Sequence, residues 1–575
     1  MTEPVWTYPD LAEPDVLLLA EVFALAIRPG DLIGLRGDLG AGKSTFARAL
    51  IRALMRERLA DGDPAFDDIP SPTFTLAQDY RDLRVPIMHF DLYRLSAAEE
   101  IHELGLDLAL SEGAALIEWP ENAADELPEM TFSIVFLDGQ ASGAAHGASP
   151  GNVDDLRAIR IASSNDASSR LARLTAAFKL LRSGDVLLSA SGRPDAPAAS
   201  EAPPRVTHLY GDASARSYAQ ITPRGVDAAH ERPTSALLMD WPAQPDGPPV
   251  RHGLPYSRIA HIAEDMRAFL AVGDALRAGG FAVPAIHSMD MDAGYMVLED
   301  FGPRVFGSLI SEGEALLPLW SQAIDVLAAL REVPPPSVLT SQHFDGELPL
   351  PVYDRDALTI EVELLLDWYW PFAHGSPAPN DERASFLAAW QRPFDLIAAQ
   401  PLHWVLRDFH SPNLIDRPNQ NGLKRTGLID FQDAVRGPAA YDVVSLIQDA
   451  RLDVDPAFEP ILLQRYLSQV RDSSFDEEGF MASYAVMGAQ RATKILGIFA
   501  RLSMRDQKPQ YLAHLPRVWC YLQRNLSASE DAEKTGLSEL ADWFHRTFPP
   551  GARPERPPTT PGGLDHNRRS GSQPL

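Results

Sequence analysis

The octapeptide GDLGAGKS at residues 37–44 strongly limits the folds that this chain can adopt. It matches the phosphate-binding loop pattern G-x-x-x-x-G-K-S. Glycines allow consecutive backbone N–H groups to turn towards a phosphate, and the helix that follows such a loop presents its positive end to the same anion. A strand must lead into the loop and a helix must leave it, so the pattern predicts an α/β domain that binds a nucleotide.

The residues of this loop have distinct predicted roles. The glycines shape the loop, Lys43 bridges the outer phosphates, and Ser44 or Thr45 offers a hydroxyl group to magnesium. We therefore expect MgATP at this loop; the alternative is a glycine turn without a ligand. The glycines concerned are Gly37, Gly40 and Gly42.

The apolar pattern around the loop supports this interpretation. Residues 17–25 have helical periodicity, residues 31–36 suit a short buried strand, and residues 45–59 suit the helix after the loop. Alternating strands and helices are typical of an α/β fold. Further strands are predicted at four later segments, 87–90, 115–118, 132–137 and 158–162.

Composition excludes several classes of protein. The chain has 575 residues, with 51 Lys and Arg against 79 Asp and Glu, and its formal net charge is −28. Such a surface repels phosphate backbones and anionic lipids, so general nucleic-acid coating is excluded. A single cysteine, Cys520, cannot form an internal disulfide, and the acidic, proline-interrupted first 15 residues do not suit a signal peptide. We expect a cytoplasmic protein.

Four segments after the loop narrow its function. In order they are SPTFTL at 71–76, HFDLYRL at 89–95, ELG at 103–105 and EWPE at 118–121. Together with the loop they resemble the TsaE family over about residues 10–165. Members of that family are small ATPases that act with the TsaB and TsaD proteins to make threonylcarbamoyladenosine in tRNA. The resemblance therefore implies TsaB and TsaD as partners, and tRNA as an indirect partner through them.

The resemblance also implies roles for individual residues. Asp91 corresponds to the carboxylate that holds magnesium, although a helix cap is the plain alternative, and Glu118 corresponds to the catalytic acid that positions the attacking water. Trp119 either presents a flat surface to a base or partner or packs in the core. Thr73 and Thr75 lie either in a nucleotide switch or in an ordinary Ser-Pro turn. His89 is expected to support its strand end, since no second metal-type ligand is spaced around it.

A second set of chemical residues follows much later in the chain. The segments WVLRDFHSPNLI at 404–415 and GLIDFQD at 427–433 contain Asp408, Asn413 and Asp430. This spacing is typical of a kinase, in which Asp408 orients the acceptor hydroxyl while Asn413 and Asp430 hold Mg²⁺ against the triphosphate. A set of unrelated loop caps is the alternative.

These segments resemble the aminoglycoside phosphotransferase superfamily over about residues 205–545. More narrowly they resemble the AmgK-type kinases, which phosphorylate the anomeric hydroxyl of N-acetylmuramate and N-acetylglucosamine. The narrower resemblance rests on RDFHSPNL, on LIDFQDAVRGPAAYDVVSL at 428–446, on QRATKILGIFARL at 490–502 and on YLAHLPRVWCYL at 511–522. Asp442 is expected to brace the catalytic loop. The basic residues Arg491, Lys494 and Arg501 either line a sugar site or face solvent.

Two positions depart from the superfamily pattern. Leu406 stands where a histidine often precedes the catalytic aspartate, so a loop-supporting hydrogen bond is expected to be missing. The strand at 235–240 has no lysine, so Arg216, within the segment 211–218 that resembles a phosphate-covering turn, or an unidentified group is expected to supply the positive charge for the phosphates. A helix is predicted over 257–279, with Glu264 or Asp265 as its acidic partner residue.

We expect an α/β P-loop domain followed by an α+β, two-lobed, protein-kinase-like domain. The predicted divisions are a TsaE-like ATPase at 1–165, a helix and flexible linker at 166–204, an amino-sugar kinase at 205–547 and a disordered tail at 548–575. Two alternatives stay open. The first module is either an independent ATPase or a gating factor, and the second is a kinase for these sugars, a kinase for another hydroxyl compound, or a pseudokinase.

Overall fold

The computed structural model describes residues 5–57, 69–138, 156–183, 203–209, 216–224, 235–243, 246–471, 475–527, 532–550 and 553–554. The strands in these ranges are β1 (Val5–Leu11), β2 (Leu32–Arg36), β3 (Ala77–Tyr80), β4 (Ile87–Asp91), β5 (Ala114–Glu118), β6 (Phe132–Asp138), β7 (Arg157–Ser163), β8 (Arg205–Leu209), β9 (Ser217–Thr222), β10 (Ala236–Asp240), β11 (Pro249–Arg251), β12 (Leu254–Pro255), β13 (Ile286–Asp290), β14 (Tyr295–Glu299), β15 (Val338–Ser341), β16 (Phe344–Pro349), β17 (His403–Val405), β18 (Leu414–Asp416), β19 (Thr426–Leu428) and β20 (Val435–Gly437).

The helices in the same ranges are α1 (Glu13–Ala26), α2 (Lys43–Arg56), α3 (Glu100–Glu103), α4 (Leu106–Glu112), α5 (Ser168–Arg182), α6 (Tyr256–Ile259), α7 (Met266–Ala278), α8 (Phe306–Ser311), α9 (Leu316–Arg331), α10 (Arg355–Leu364), α11 (Trp370–His374), α12 (Asn380–Ala389), α13 (Gln391–Ala398), α14 (Ala440–Ile447), α15 (Phe458–Val470), α16 (Glu477–Met504), α17 (Leu515–Ser527), α18 (Ala532–Thr535) and α19 (Leu537–Thr547). None of the described helices is long and apolar enough to span a lipid bilayer.

The chain forms two compact units, one of Met1–Pro242 with Ala285–Asp300 and one of Ala243–Pro284 with Phe301–Leu575. The first unit contains a seven-stranded sheet in the order β1-β7-β6-β2-β5-β4-β3. Strands β6, β2, β5 and β4 run parallel, and the remaining pairs are antiparallel. The glycine loop at 37–42 therefore leaves the carboxyl end of a central parallel strand and enters α2, as the sequence predicted.

The first unit also contains a five-stranded antiparallel sheet in the order β13-β14-β10-β9-β8. Its apolar residues, including Val206, Ile221 and Leu238, share one buried cluster with Phe23 of α1 and Phe178 of α5. The two sheets of this unit are therefore joined by one continuous hydrophobic core. Burial of such apolar surface contributes roughly 25 cal/mol per Å² removed from water.

The second unit is mostly helical, and its longest helix is α16. Helix α16 packs closely against other elements, because a Cβ atom placed at Gly497 would lie 2.3 Å from the backbone carbon of Leu364. Two short hairpin-like sheets, β17 with β20 and β18 with β19, support the loops that contain the predicted kinase residues.

The helix predicted over 257–279 is wrong as one element. The structure has α6 and α7 instead, and residues 260–265 between them are not helical. Tertiary hydrogen bonds take the backbone groups that a continuous helix would use, since the Ala260 oxygen accepts from Arg407 and the Ala263 N–H donates to Asp433. Asp265 then caps α7 by accepting from the Arg267 N–H.

Three further regions of the structure differ from the sequence predictions. Strand β1 lies in the acidic, proline-containing start of the chain, where no strand was predicted. Residues 184–202 of the predicted linker lie outside the described residues, but Pro203 and Pro204 at its end are buried. Phe548 is completely buried against Trp519 and Trp543, so the tail predicted from 548 cannot begin there; residues 555–575 lie outside the described residues.

Candidate functional site

The phosphate-binding loop has the backbone that its glycines predict. Gly37, Gly40 and Gly42 have φ values of +136°, +81° and +108°, a region that favours glycine. At Gly37 a Cβ atom would lie 2.5 Å from the Phe136 carbonyl oxygen, so this position also excludes a side chain sterically. Gly42 directly precedes α2, and Lys43, Ser44 and Thr45 form its first turn.

Lys43 is turned back onto its own loop. Its Nζ atom donates to the carbonyl oxygens of Gly37 at 2.6 Å and Asp38 at 2.8 Å, and it lies 3.7 Å from the centroid of the Trp119 ring. Burial lowers the pKa of Lys43, while the charge of Glu118 opposes that shift. To reach a phosphate, the ammonium group must exchange these carbonyl contacts for the anion.

Trp119 has a left-handed backbone, with φ of +61°, directly after β5. Its ring is partly buried against a core cluster, and it also contacts the Tyr93 ring at 5.0 Å between centroids. The core-packing alternative for Trp119 is therefore correct for part of the ring, while another part covers Lys43.

Two carboxylates lie at the ends of neighbouring parallel strands, where Asp91 and Glu118 are register partners. Glu118 Oε2 accepts from Ser44 Oγ at 2.8 Å, and its Oε1 contacts His89 Nε2 at 3.0 Å. His89 therefore supports the end of β4, as predicted. Because Ser44 donates its proton to Glu118, the hydroxyl oxygen retains lone pairs that suit a cation.

The segment at 71–76 is tied to Asp91. Thr73 Oγ1 donates to Asp91 Oδ2 at 2.7 Å, whereas Thr75 is exposed. Asp91 Oδ1 also accepts from the Tyr93 N–H at 3.1 Å, a contact that closes a turn after β4. The next described helix begins at Glu100, so the helix-cap alternative for Asp91 is wrong. The hydroxyl oxygen of Thr73 gives Asp91 an oxygen-rich environment of the kind that Mg²⁺ prefers.

The predicted kinase residues converge in the second unit. The Asn413 Nδ2 atom donates to the Asp408 carbonyl oxygen at 3.0 Å and to Asp430 Oδ2 at 3.3 Å. All three residues line the same small pocket. The β18–β19 pairing brings them together, since the Ile429 N–H donates to the Asn413 carbonyl oxygen at 3.1 Å.

The donor set at this point fits Mg²⁺. Because Asn413 uses its amide nitrogen in both bonds, its oxygen is the atom that can bind a cation, beside the Asp430 carboxylate. Asp430 has φ of +61°, a strained conformation that is more common at functional sites than elsewhere. In the part of the chain that the structure describes, no three His, Cys, Asp or Glu side chains form a separate metal cluster. A magnesium ion that arrives with phosphates needs only one or two protein carboxylates.

Asp442 braces the catalytic loop. Its carboxylate accepts from the backbone N–H groups of Leu406 at 2.6 Å and Arg407 at 3.0 Å. Burial raises the pKa of Asp442 to about 7, and these two backbone hydrogen bonds oppose the shift. The loop is therefore supported at the Leu406 backbone, although the leucine side chain itself cannot donate a hydrogen bond.

A second brace was missed by the sequence analysis. Asp449 Oδ2 accepts from the Ser411 N–H at 2.9 Å, and Asp449 is completely buried. It follows Asp442 by seven residues on an apolar segment, and no motif distinguishes it from an ordinary helix-end aspartate. His410 lies beside it and accepts from Arg451 Nη1 at 2.6 Å.

The basic residues of α16 do not face solvent as a group. Arg491 is 6% exposed and lies 3.4 Å from the Tyr441 hydroxyl, and Lys494 forms a salt bridge with Glu361 at 2.8 Å. The solvent-facing alternative is therefore wrong for these two residues. Burial lowers the pKa of Arg501.

The other proposed cation and acids have local partners. The Arg216 guanidinium lies 5.0 Å from the Trp241 ring centroid, and residues 210–215 before it are outside the described residues. Glu264 accepts from Ser257 and Arg258, and Asp265 caps α7. Asp240, at the end of the strand without a lysine, is paired with Arg173.

Comparisons with known proteins match two segments of the chain to known families. Residues 12–144 match the family model described as threonylcarbamoyl adenosine biosynthesis protein TsaE, and residues 205–479 match the model of the phosphotransferase enzyme family. The predicted fold class, an α/β P-loop domain followed by a kinase-like α+β domain, is confirmed.

Individual relatives extend both matches. The N-acetylmuramate/N-acetylglucosamine kinase of Caulobacter vibrioides is 36% identical over 355 residues, which cover 59% of this chain and 91% of the relative. The TsaE protein of Rickettsia bellii is 41% identical over 117 residues, 20% of this chain and 76% of the relative. That of Rickettsia felis is 42% identical over 109 residues, 19% of this chain and 59% of the relative.

The chain is therefore a fusion that belongs to two families, the TsaE family in its first segment and the N-acetylmuramate/N-acetylglucosamine kinases of the phosphotransferase enzyme family in its second.

Proposed function

We propose that the second segment phosphorylates the anomeric hydroxyl of N-acetylmuramate or N-acetylglucosamine with MgATP. The observation that supports it is the convergence of Asp408, Asn413 and Asp430 through the Asn413 amide. Asp408 accepts the proton of the sugar hydroxyl, and the freed oxygen forms a bond to the γ-phosphorus while the bond to the β-phosphate oxygen breaks. ADP and the sugar 1-phosphate are the products.

Asn413 and Asp430 would hold the metal ion, which neutralises charge on the transferring phosphoryl group. Arg216 is the proposed additional cation for the phosphates. Asp442 and Asp449 keep Asp408 in position, since their carboxylates bond backbone N–H groups on either side of it.

The test is magnesium-dependent ADP release by the full chain, with and without each sugar. We expect sugar-stimulated release that Asp408→Asn abolishes and Lys43→Ala leaves intact, because Lys43 belongs to the other nucleotide site. The acceptor atom is identified with sugar alcohols, in which reduction has removed the anomeric centre, and these must fail as substrates. Stimulation by an aminoglycoside or an amino alcohol in place of the sugars would assign another acceptor, and no stimulation by any acceptor would identify a pseudokinase.

We propose that the first segment hydrolyses ATP in support of threonylcarbamoyladenosine formation in tRNA, together with TsaB and TsaD. The supporting observation is the Ser44–Glu118–His89 hydrogen-bond series beside the loop. Ser44 and Asp91 would hold Mg²⁺, and Glu118 would orient the attacking water. His89 keeps the Glu118 carboxylate in place.

One observation favours a gating role for this ATPase. Apolar side chains around the nucleotide loop are exposed, with Leu39 at 79%, Phe74 at 83% and Tyr93 at 48%. Exposed apolar groups close to a functional loop are typical of a protein-contact surface. Lys43 meanwhile bonds its own loop, so hydrolysis requires a rearrangement that a partner protein can favour.

The gating proposal predicts slow basal hydrolysis that rises when TsaB and TsaD are added. Phe74→Ser should remove this rise without changing the basal rate of hydrolysis. Leu108→Ser, which also replaces an exposed apolar side chain but on α4, should leave the rise intact. Rapid hydrolysis without partners, blocked by Lys43→Ala, would instead identify an independent enzyme. Because the net charge is −28, the chain alone should bind bare tRNA weakly, and tight filter binding would contradict indirect tRNA contact.

A further inference from the structure

The residue before the catalytic aspartate has an unusual environment. Arg407 has φ of +68°, a left-handed backbone that costs a non-glycine residue on the order of 1–2 kcal/mol. Its side chain is 4% exposed, so the guanidinium is directed into the protein and away from solvent. A strained backbone and a buried cation at this position both require compensation.

The compensation comes from Glu361 of α10, which is completely buried. Glu361 Oε1 accepts from Arg407 Nη2 at 2.5 Å and from Lys494 Nζ at 2.8 Å. Its Oε2 accepts from Gln490 Nε2 at 2.9 Å and from the Tyr353 hydroxyl. One carboxylate thus links α10, α16 and the catalytic loop.

Electrostatics favours the charged form of this carboxylate. Burial by itself raises the pKa of Glu361, but the charges of Lys494 and Arg407 outweigh it and lower the pKa to about 2. Glu361 is therefore an anion throughout the pH range in which kinases work, and it interacts permanently with two cations.

Further hydrogen bonds restrict the conformation of Arg407. Asp442 holds the N–H groups of Leu406 and Arg407, and Arg407 Nη1 donates to the Ala260 carbonyl oxygen at 2.8 Å. The backbone of residue 407 and its side chain are thus fixed from different directions. Asp408 follows directly, so the direction of its side chain depends on the conformation of Arg407.

We infer that Glu361 is a positioning residue for phosphoryl transfer, which holds Asp408 in its reactive orientation through the Arg407 guanidinium. The inference rests on the proposed function in one respect, namely that Asp408 is the group that receives the acceptor proton. Glu361 does not contact the reacting atoms. It provides from the side of Arg407 the support that a histidine at position 406 would provide, where this chain has Leu406.

The test compares Glu361→Gln with Glu363→Gln. Glu363 lies on the same helix, is 7% exposed and pairs with Arg251 and Arg383, two residues outside the catalytic loop, which makes it a matched control. Glu361→Gln should lower kcat by about 10²-fold, the effect expected for a misplacement near 1 Å, while the KM values for sugar and ATP change little. Glu363→Gln should leave both parameters unchanged.

Two further variants separate positioning from folding. Glu361→Asp keeps the charge and loses one methylene, so its kcat should lie between those of Glu361→Gln and the unmodified protein. This variant keeps the inference testable if Glu361→Gln is poorly folded. Arg407→Met should match Glu361→Gln, and the double variant should be no slower than either single variant, because both act through one contact. A lower melting temperature with a normal kcat for the folded fraction would overturn the inference.

Amide hydrogen exchange gives a readout that does not depend on the substrate. Exchange across residues 404–413 should accelerate in Glu361→Gln and not in Glu363→Gln. Unchanged exchange in that segment would overturn the positioning role. If the unmodified protein phosphorylates no amino sugar, the proposed function fails, while this exchange comparison still decides whether Glu361 holds the loop.

Discussion

Glu21 of α1 accepts a hydrogen bond from the Arg224 guanidinium at 2.7 Å, across 203 residues of sequence. The same carboxylate, 1% exposed, accepts from Arg56 at the end of α2 and from the Val206 N–H of β8. The helix that begins at the phosphate-binding loop and the first strand of the five-stranded sheet therefore share one buried anion.

Replacing this anion should destabilise the first unit. Glu21→Gln leaves two largely buried arginines without their counter-charge, so we expect the free energy of unfolding to fall by about 3 kcal/mol in urea titration. Glu13→Gln, at an exposed position of the same helix, should change it by less than about 0.5 kcal/mol. Equal effects of the two variants would mean that the buried anion does not link the two sheets.

Replacement by alanine should affect nucleotide binding differently at two glycines of the nucleotide loop. Both have positive φ, but a Cβ at Gly37 would lie 2.5 Å from a backbone oxygen, while nothing lies within 4 Å of one at Gly40. Gly37→Ala should therefore abolish nucleotide binding to this module, and Gly40→Ala should cost only about 1 kcal/mol of backbone strain. Titration with a fluorescent ATP analogue measures both, and similar loss in the two variants would contradict the steric argument.

Nucleotide binding should change tryptophan fluorescence through Trp119. Lys43 covers this ring at 3.7 Å and must leave its loop carbonyls to reach a phosphate. We expect an ATP-dependent change in emission that Trp119→Phe removes. Trp6→Phe is the matched control, because Lys179 also lies over the Trp6 ring, at 4.9 Å, far from the loop in sequence. An equal change in Trp119→Phe and in the unmodified protein would assign the signal to another tryptophan, such as Trp241 beside Arg216, and would contradict the prediction.

His410 should reduce the stability of the kinase segment in mild acid. Burial, followed by the charge of Arg451, lowers the pKa of His410 to about 4, and its Nε2 accepts from that arginine. Between about pH 6.5 and 4 the unfolded chain binds more protons at this residue than the folded one, so the contribution of His410 to stability decreases as pH falls through this window. Asp442, with a pKa raised to about 7, contributes in the opposite direction, so the effect of His410 is measured as a difference between variants.

Linkage gives a loss of about 2 kcal/mol between pH 7 and pH 5 from this one group. Urea unfolding at the two pH values should therefore show that acidification to pH 5 is about 2 kcal/mol less unfavourable for His410→Gln than for the unmodified protein, since the Gln amide oxygen can still accept from Arg451 but does not titrate. His252→Gln, at an exposed position, should leave the difference unchanged. An identical pH dependence in His410→Gln would assign the acid sensitivity to other groups.

Much of both candidate sites could be predicted from the sequence because their residues are close together along the chain. The loop residues 37–45 are consecutive, so their order alone indicates the geometry of a phosphate-binding loop. Asp408 and Asn413 are five residues apart, and the short β18–β19 pairing brings Asp430 to them. Where a site is built from residues that are close together along the chain, their spacing in the sequence is enough to predict it.

Other features could not be predicted because they depend on distant contacts. The helix predicted over 257–279 has the correct periodicity, but hydrogen bonds from Arg407 and Asp433 interrupt it at Ala260 and Ala263. The residues that follow Phe548 in the sequence have the composition of a disordered tail. Phe548 itself nevertheless packs in an aromatic cluster with Trp519 and Trp543.

The amino-acid sequence is sufficient to identify a phosphate-binding loop and a kinase-type set of Asp408, Asn413 and Asp430 in this protein. How the catalytic loop is held depends on the folded chain, because Glu361 is 46 residues from Arg407 and 133 from Lys494. A buried carboxylate is stable only where folding brings cations to it. No local pattern distinguishes it beforehand from the acidic residues that face water.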